Sequence, residues 1–270
     1  MHVLSPTPPS PPPQQTRWIT IPELVDHLDA RAGGDHCTLA FDGDGTLWEG
    51  DVSDDVFLAA CEKDWFLPQI HPSLEIILSD HGLATTGTTS KLAYRLFEAE
   101  KQSLIDERLL FEIMTWCYAG RTADELSDFA EEVLQQSGIE SRVRMGYRPL
   151  LEWAHSHEHS TWVVTASPWP IVRVAARTLG FVDDQVIASR ASESAGGVLG
   201  PALAAPLPYR GQKVQRLAEK RGNSRSLAAF GDSYFDIDLL RSAEVAVAVS
   251  PKPALERELA SLEHALILRL

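Results

Sequence analysis

Hydrophobic residues follow two different patterns along this chain. Short apolar runs bounded by polar residues, as expected of buried strands, occupy residues 38–41, 161–165, 186–189, 227–230 and 245–249. Between residues 51 and 145 the apolar positions recur instead at helical spacing, and no run there predicts a strand. The alternation of strands and helices predicts an α/β fold with a doubly wound parallel sheet, and the long helical stretch predicts an inserted all-helical cap.

These patterns divide the chain into three parts. Residues 1–16 are rich in Ser, Thr and Pro, a composition that cannot pack a core, and we expect a disordered leader there. Residues 17–50 and 146–270 are predicted to form a Rossmann-like core. Residues 51–145 are predicted to form the cap, because a crossover between neighbouring parallel strands needs only about a dozen residues.

Capping signals mark two of the predicted helix starts. Thr20 followed by Glu23 has the spacing of a capping box, and Gly33 ends the helix that begins there. Thr122 followed by Glu125 repeats the same signal inside the predicted cap.

Composition and charge narrow the possible functions. The 270 residues are 44% apolar and 23% charged, as in an ordinary globular protein. A net charge of −14 argues against a nucleic-acid or anionic-membrane surface, since both need clustered Lys and Arg. No apolar run reaches the length of about 18 residues needed for a membrane span, the N-terminus lacks a signal-peptide pattern, and the three cysteines are widely spaced. We therefore expect a cytoplasmic protein without nucleic-acid or membrane partners, and the sequence does not indicate its oligomeric state.

Two carboxylates follow the first predicted strand. Asp42 and Asp44 would lie just past its carboxyl end, where open α/β sheets place their ligands. Alternate carboxylates on an apolar scaffold need a cation or hydrogen-bond donors, and Mg2+ is the simplest ion that would meet this need. Asp42 could then act as a nucleophile and Asp44 as a general acid/base. The alternative is a strand followed by an ordinary polar turn.

Three further groups of candidate site residues lie later in the chain. Residues 165–167 are predicted to bring a hydroxyl and backbone amides to a helix start, which would bind an anion; the alternative is simple capping. Lys213 lies near the start of another predicted helix and could equally be a surface lysine. Asp232 and Asp236 are four residues apart, which predicts one helical face, or an N-cap with a partner. Together with Asp42 and Asp44, and in this order along the chain, these groups provide what metal-assisted phosphoryl transfer requires.

The chain resembles the haloacid dehalogenase superfamily, in its phosphoserine-phosphatase-like branch with a helical cap. The resemblance covers about Thr38 to the C-terminus and implies a Rossmann-like core, a helical cap and phosphate chemistry. Four motifs carry it: Asp42-Gly43-Asp44-Gly45-Thr46, Thr165-Ala166-Ser167-Pro168, Lys213, and Gly231-Asp232-Ser233 with Asp236.

The resemblance also implies a role for each motif residue. Asp42 would become an aspartyl-phosphate, with Asp44 as general acid/base and Lys213 neutralising charge on Asp42. Mg2+ would be held by the side chains of Asp42 and Asp232 and the main-chain carbonyl of Asp44, with Asp236 positioning the metal's waters or Lys213. The substrate and phosphate ligands would be Gly43, Thr46, Thr165, Ala166, Lys213 and, in the segment after the first motif, Asp51.

Substrate specificity is expected from the cap and from residues 48–55. Asp51 lies nine positions beyond Asp42, where phosphoserine phosphatases place the acid that meets the substrate ammonium. Trp48, Glu49 and Asp51 could together receive a cationic head group, although Asp51 is equally suited to the start of a helix.

The chain also departs from the phosphoserine phosphatase pattern. It carries Gly45 in place of Ser, Thr-Ala-Ser at 165–167 in place of Ser-Gly-Gly, and Phe235 where Asn is frequent. For a serine carboxylate only Arg95 and Arg108 are candidates, so phosphoserine is not the leading substrate.

Three functional hypotheses result. The first is a Mg2+-dependent phosphomonoesterase acting on a small phosphorylated metabolite, with an amine-bearing one as an option. The second is a phosphotransferase of the same fold; a dehalogenase is disfavoured by Asp44. The third is a non-catalytic scaffold that uses the Pro-rich leader for docking, which the intact set of acidic and basic site residues disfavours.

Overall fold

The computed structural model describes residues 17–262 and 264–270. Within these residues, none of the helices combines the length and the apolar character needed to cross a bilayer. The predicted disordered leader, residues 1–16, lies outside the described residues.

The core is a seven-stranded sheet in which every neighbouring pair of strands is parallel. Its spatial order is β1-β9-β8-β7-β2-β3-β4. A two-stranded antiparallel hairpin, β5 and β6, stands beside it. The strands are β1 Arg17–Thr20, β2 Cys37–Phe41, β3 Ser160–Pro168, β4 Val186–Ser189, β5 Ala191–Glu193, β6 Leu199–Leu203, β7 Arg225–Gly231, β8 Val245–Val249 and β9 Leu266–Arg269.

Helices cover both faces of the sheet, because side chains of each strand alternate between them. On β2, Leu39 and Phe41 join the larger apolar cluster, whereas Ala40 joins a second cluster on the other face. The prediction of a doubly wound sheet is therefore confirmed. The core helices are α1 Ile21–Ala32, α8 Arg148–Ser156 and α9 Trp169–Arg177 on the first face, and α10 Gly211–Arg221, α11 Ile237–Arg241 and α12 Pro253–Glu258 on the second.

The segment between β2 and β3 is helical, as the spacing of its apolar residues predicts. Its helices α5 and α6 pack on the core through β3, the β5–β6 hairpin and α9. The fold with an inserted helical region is thus confirmed, while the exact cap boundaries, 51–145, stay a prediction. Before α8 the segment contains α2 Val52–Glu62, α3 His71–Asp80, α4 Thr89–Lys101, α5 Glu107–Trp116, α6 Ala123–Gln136 and α7 Ile139–Arg142.

The capping signals form as predicted. Thr20 and Glu23 make a capping box at α1, which ends at Gly33 with a φ of 60°. Thr122 and Glu125 make a second capping box at α6.

Two local predictions are wrong. Residues 165–167 do not start a helix, because β3 continues to Pro168 and α9 begins at Trp169. Asp232 and Asp236 do not share an α-helical face, since Asp232 follows β7 directly and Asp236 ends a 3-10 turn over 234–236. Residues 17–20, for which the sequence made no prediction of secondary structure, form an edge strand that pairs with the apolar C-terminal segment 266–269.

Candidate active site

Side chains from four strand ends line one cavity of about 100 Å³. These strands are adjacent and parallel, so their carboxyl ends meet at one edge of the sheet. The contributing residues are Asp42 and Asp44 after β2, Thr165, Ala166 and Ser167 at the end of β3, Asp232 and Ser233 after β7, and Lys252 after β8.

Lys213 links two carboxylates at the floor of this cavity. Its Nζ donates to Asp42 Oδ1 at 2.5 Å and to Asp236 Oδ1 at 2.6 Å. The second oxygen of Asp236 accepts from the backbone amide and the hydroxyl of Ser233, at 3.1 and 3.0 Å. Asp236 is therefore committed to Lys213 and to its own turn. Lys213 is only 4% exposed, which excludes the surface-lysine alternative.

Burial makes the charges of this network interdependent. Burial alone would lower the pKa of Lys213, but the carboxylates of Asp236 and Asp42 outweigh that effect and raise it, so the ammonium stays charged. Burial, followed by the Asp236 carboxylate, raises the pKa of Asp42 well above its ordinary value. A divalent cation bound to Asp42 would oppose this rise, so ionisation of Asp42 and metal binding are linked.

The donor set fits Mg2+. Asp42, Asp232 and Asp236 each offer a carboxylate oxygen, and these oxygens lie within 4.8 Å of one another. Asp232 Oδ2 lies 2.9 Å from Lys252 Nζ, a partner that is largely exposed. The turn at Gly45, with a φ of 79°, leaves room for Asp232, because a Cβ at position 45 would overlap that carboxylate. Buried, clustered oxygen donors are what a hard divalent cation requires.

The Asp44 carboxylate is held by three donors. Its Oδ1 accepts from Trp48 Nε1 at 2.7 Å and from the Val52 amide at 2.8 Å, while Oδ2 accepts from Ser167 Oγ at 2.7 Å. The Val52 amide belongs to the first turn of α2, so the cap and core meet at this carboxylate. Asp44 is therefore oriented into the cavity beside Asp42.

The predicted phosphate ligands are only partly brought together. Thr165 and Ala166 line the cavity, although from an extended strand. Thr165 Oγ1 accepts from the Ser167 amide at 3.2 Å. Gly43 and Thr46 are not among the lining residues: Gly43 packs on the Trp48 ring, and the buried Thr46 directs its hydroxyl towards Asp42 Oδ2 at 3.4 Å.

The three residues predicted to receive a cationic head group do not line the cavity together. Asp51 lines the cavity, but its Oδ1 caps α2 by accepting from the Ser53 and Asp54 amides at 2.8 and 3.0 Å. Trp48 is fully buried, so its ring cannot receive a cation from the cavity, and that part of the hypothesis is wrong. Glu49 faces Arg144 at 3.5 Å and does not line the cavity.

Neither predicted cap arginine reaches the cavity. Arg95 donates to the carbonyls of Ala84 and Thr86, and Arg108 pairs with Glu112 at 3.1 Å. No other arginine, within the part of the chain that the structure describes, lines this cavity.

Several lining residues were not assigned a role from the sequence. Ser167 and Lys252 had a usable signal, because both follow strands of the sheet. The other four had no usable sequence signal, because they come from a cap helix, a loop and a 3-10 turn that meet only when the cap packs on the core. They are Glu107, Phe111, Tyr209 and Phe235.

A doubly wound core that carries two aspartates after its central strand and a buried lysine between carboxylates defines the class of protein. A sequence model of the haloacid dehalogenase-like hydrolase family matches residues 39–241, so the chain belongs to this family. The predicted resemblance is confirmed. Phosphoserine phosphatase SerB1 of Mycobacterium tuberculosis is similar, at 28% identity over 136 residues. The match covers 49% of this chain and 43% of that protein, so the chain spans less than half of this relative.

Solved structures support the same fold. A Bordetella pertussis protein of unknown function aligns with a TM-score of 0.66 at 18% identity, covering 87% of this chain and 99% of that one. A substrate-bound phosphoserine phosphatase aligns with a TM-score of 0.50 at 13% identity, covering 86% of this chain and 93% of that one. At these identities the likeness shows the fold alone.

Proposed function

We propose that this hydrolase is a Mg2+-dependent phosphomonoesterase acting on a small phosphorylated metabolite. The observation that carries the proposal is the buried Lys213 ammonium between Asp42 and Asp236, next to the Asp232 carboxylate. This arrangement supports a nucleophilic carboxylate beside charges that hold a phosphate. The oriented Asp44 carboxylate supplies a group for proton transfer, which an ester oxygen needs on leaving.

The proposed reaction has two displacements at phosphorus. Asp42 attacks the phosphorus and the ester P–O bond breaks, while Asp44 gives its proton to the departing alcohol oxygen. Asp44 then takes a proton from a water that attacks the aspartyl-phosphate, releasing inorganic phosphate and restoring Asp42. Lys213, the Thr165 hydroxyl and the Ala166 amide are the proposed phosphate ligands.

Mg2+ would be held by the side chains of Asp42 and Asp232 and, as the family resemblance implies, by the main-chain carbonyl of Asp44. When bound, it would neutralise charge on the phosphate oxygens. Asp236 would act through Lys213, which it holds.

The size of the cavity supports a small substrate. Its volume of about 100 Å³ lies below the range of roughly 300–1,000 Å³ of ordinary ligand pockets. The described cysteines, Cys37, Cys61 and Cys117, are all free thiols, which accords with the proposed cytoplasmic location.

The test is phosphate release from a panel of small phosphomonoesters and from p-nitrophenyl phosphate, with Mg2+ and with EDTA. We expect metal-dependent turnover that falls about 1,000-fold or more in Asp42→Asn, because the nucleophile is lost. Asp26→Asn, an exposed aspartate on α1, is the matched control and should behave as wild type. Equal release of alcohol and inorganic phosphate would distinguish hydrolysis from transfer to an acceptor. Metal-independent turnover, or full activity in Asp42→Asn, would refute the proposal.

A further inference from the structure

The cavity has a second wall, which the proposed chemistry does not use. It consists of Glu107 and Phe111, one turn apart on cap helix α5, together with Tyr209 from a loop of the core and Phe235 from the 3-10 turn over residues 234–236. We call these four residues the aromatic wall. The Tyr209 ring lies 5.2 Å from the Phe235 ring and 6.4 Å from the Phe111 ring, measured between centroids. The wall therefore combines three ring surfaces with one carboxylate.

The Glu107 carboxylate is partly desolvated and makes no ion pair among the described residues, although Lys252, which lines the same cavity, lowers its pKa slightly through its charge. Its Oε2 accepts from the Tyr209 hydroxyl at 3.2 Å, and burial raises its pKa. Within residues 17–262 and 264–270, no Lys, Arg or His lies within ion-pair distance of this carboxylate. The exposed Arg210 lies 5.4 Å from the Phe235 ring centroid and 5.7 Å from the Tyr209 ring centroid, but it does not line the cavity. A half-buried carboxylate beside aromatic faces is a favourable place for an organic cation.

The charge of the whole site points the same way. The site holds more carboxyl groups than ammonium groups, although burial raises the pKa of Asp42, Asp51, Glu107 and Asp232 and so favours their neutral forms; a bound phosphate would add further negative charge. A positive charge on the substrate would offset that charge. The carboxylates are Asp42, Asp44, Asp51, Glu107, Asp232 and Asp236, and the ammonium groups are Lys213 and Lys252.

The same lining argues against a substrate carboxylate. Lys213 is engaged by Asp42 and Asp236, and Lys252 by Asp232. Among the described lining residues there is no guanidinium to pair with a carboxylate. A second acidic group on the substrate would therefore lie beside Glu107 or Asp51 and would have to compete with Asp232 for Lys252, which is costly.

From these observations we infer that the aromatic wall selects phosphate monoesters of short amino alcohols that lack a carboxylate, with Glu107 and the rings of Phe111, Tyr209 and Phe235 binding the ammonium. The inference rests on the proposed function, because the phosphate end of such an ester would occupy the Asp42 and Lys213 end of the cavity. Glu107 is thus a specificity-determining residue, and Tyr209 orients it through its hydroxyl.

The test compares charged esters with neutral esters of the same shape. Phosphoethanolamine is paired with n-propyl phosphate, phosphocholine with its tert-butyl analogue, and phosphoserine is included as the carboxylate-bearing ester. Wild type should show a kcat/KM for the better ammonium ester about tenfold or more above its neutral partner and above phosphoserine. The two pairs distinguish a primary from a quaternary ammonium.

Variants assign the preference to the wall. Glu107→Gln should remove most of the preference, because it raises KM for the ammonium ester far more than it changes kcat/KM for the neutral ester. Tyr209→Phe should give a smaller loss of the same kind. The matched control is Glu112→Gln, which removes a charge from the same helix outside the cavity and should leave the preference intact.

The outcomes separate the two proposals. Hydrolysis of p-nitrophenyl phosphate without any ammonium preference, or an equal loss on both esters in Glu107→Gln, would overturn the inference alone. Failure to hydrolyse any ester would overturn the proposed function. In that case calorimetric binding of the same ester pairs to wild type and Glu107→Gln still decides whether the wall selects an ammonium.

Discussion

The two walls of the active-site cavity are built differently. The wall near the strand ends contains a buried network in which Lys213 donates hydrogen bonds to Asp42 and to Asp236. Each of these three residues is at most 6% exposed. On the aromatic wall, Glu107 and Tyr209 are half-buried, and one hydrogen bond joins the cap to the core there. Under the proposed function, the reacting groups would lie on the core, whereas substrate choice would depend on how the cap packs against it. Substitutions at the strand ends should therefore act on metal binding and turnover, and those at the cap on preference and stability.

The largest effect is expected from loss of a proposed metal ligand. Asp232→Asn should weaken Mg2+ binding about 100-fold or more, since the amide supplies a neutral oxygen in place of a carboxylate. Calorimetric titration with Mg2+ measures this directly. Asp238→Asn, on the neighbouring helix α11 and outside the cavity, is the control and should bind as wild type. Unchanged affinity in Asp232→Asn would place the cation elsewhere.

The next effect is a pH dependence of metal binding at the strand ends. Because burial and Asp236 raise the pKa of Asp42, its carboxyl must lose a proton before Mg2+ binds. Affinity should thus fall as pH drops through that raised pKa, approaching about tenfold per pH unit below it. The metal-free protein should show the opposite trend for this group, being stabilised as pH falls, since the folded state holds the proton more tightly.

Mg2+ titrations between about pH 5 and pH 8 measure the trend in metal affinity. Thermal unfolding of the metal-free protein over the same range measures the opposite trend in stability. Asp42→Asn removes one of the titrating groups and should weaken both trends, while Asp232, whose pKa burial also raises, keeps part of them. A wild-type affinity that is independent of pH would contradict the linkage.

The difference between the two walls also explains which parts of the structure could be predicted from the sequence. The alternation of strands and helices predicted the sheet and the cap, and the strand-end rule predicted Asp42, Asp44 and Asp232 as neighbours. The local form of the backbone was less predictable. The helix start was misplaced at 165–167 because β3 continues to Pro168, where Ser189 of the neighbouring strand pairs with it.

Other features required knowledge of packing. Asp236 approaches Asp42 through a 3-10 turn and Lys213, a route that spacing in the sequence does not describe. Trp48 next to the acidic motif suggested a cation site, but its ring is buried under Gly43. Glu107 and Tyr209 are 102 residues apart in the chain, so no local pattern links them.

A moderate effect is expected where cap and core meet at Asp44. Ser167→Ala removes the hydroxyl that donates to Asp44 Oδ2 and should lower kcat about tenfold for alkyl phosphates, whose leaving oxygen needs a proton. The loss should be smaller for p-nitrophenyl phosphate, since nitrophenolate leaves without protonation. Ser160→Ala at the opposite end of β3 is the control. Equal losses on both kinds of ester would show that Ser167 does not act through the general acid.

The smallest effect tests the dual position of Asp51, which caps α2 and lines the cavity. Asp51→Ala should lower the free energy of unfolding by about 1 kcal/mol, while Asp51→Ser, which can still cap, should lower it much less. Urea unfolding of the two variants isolates the cap contribution. Thr122→Ala, which removes the cap of α6 away from the cavity, should match Asp51→Ala in stability without affecting substrate preference.

The contribution of the Asp51 charge to substrate preference is measured by the decrease in preference that Asp51→Ala and Asp51→Ser have in common. We expect a common decrease of about threefold in the ammonium preference, smaller than in Glu107→Gln, because one Asp51 oxygen already accepts two amides. Among the described residues, Glu107 accepts from one tyrosine hydroxyl, so more of its oxygen lone pairs are left for a ligand. If the Asp51 variants instead lost more preference than Glu107→Gln, the cation would lie nearer α2 than α5, and the aromatic wall would not be the main ammonium site.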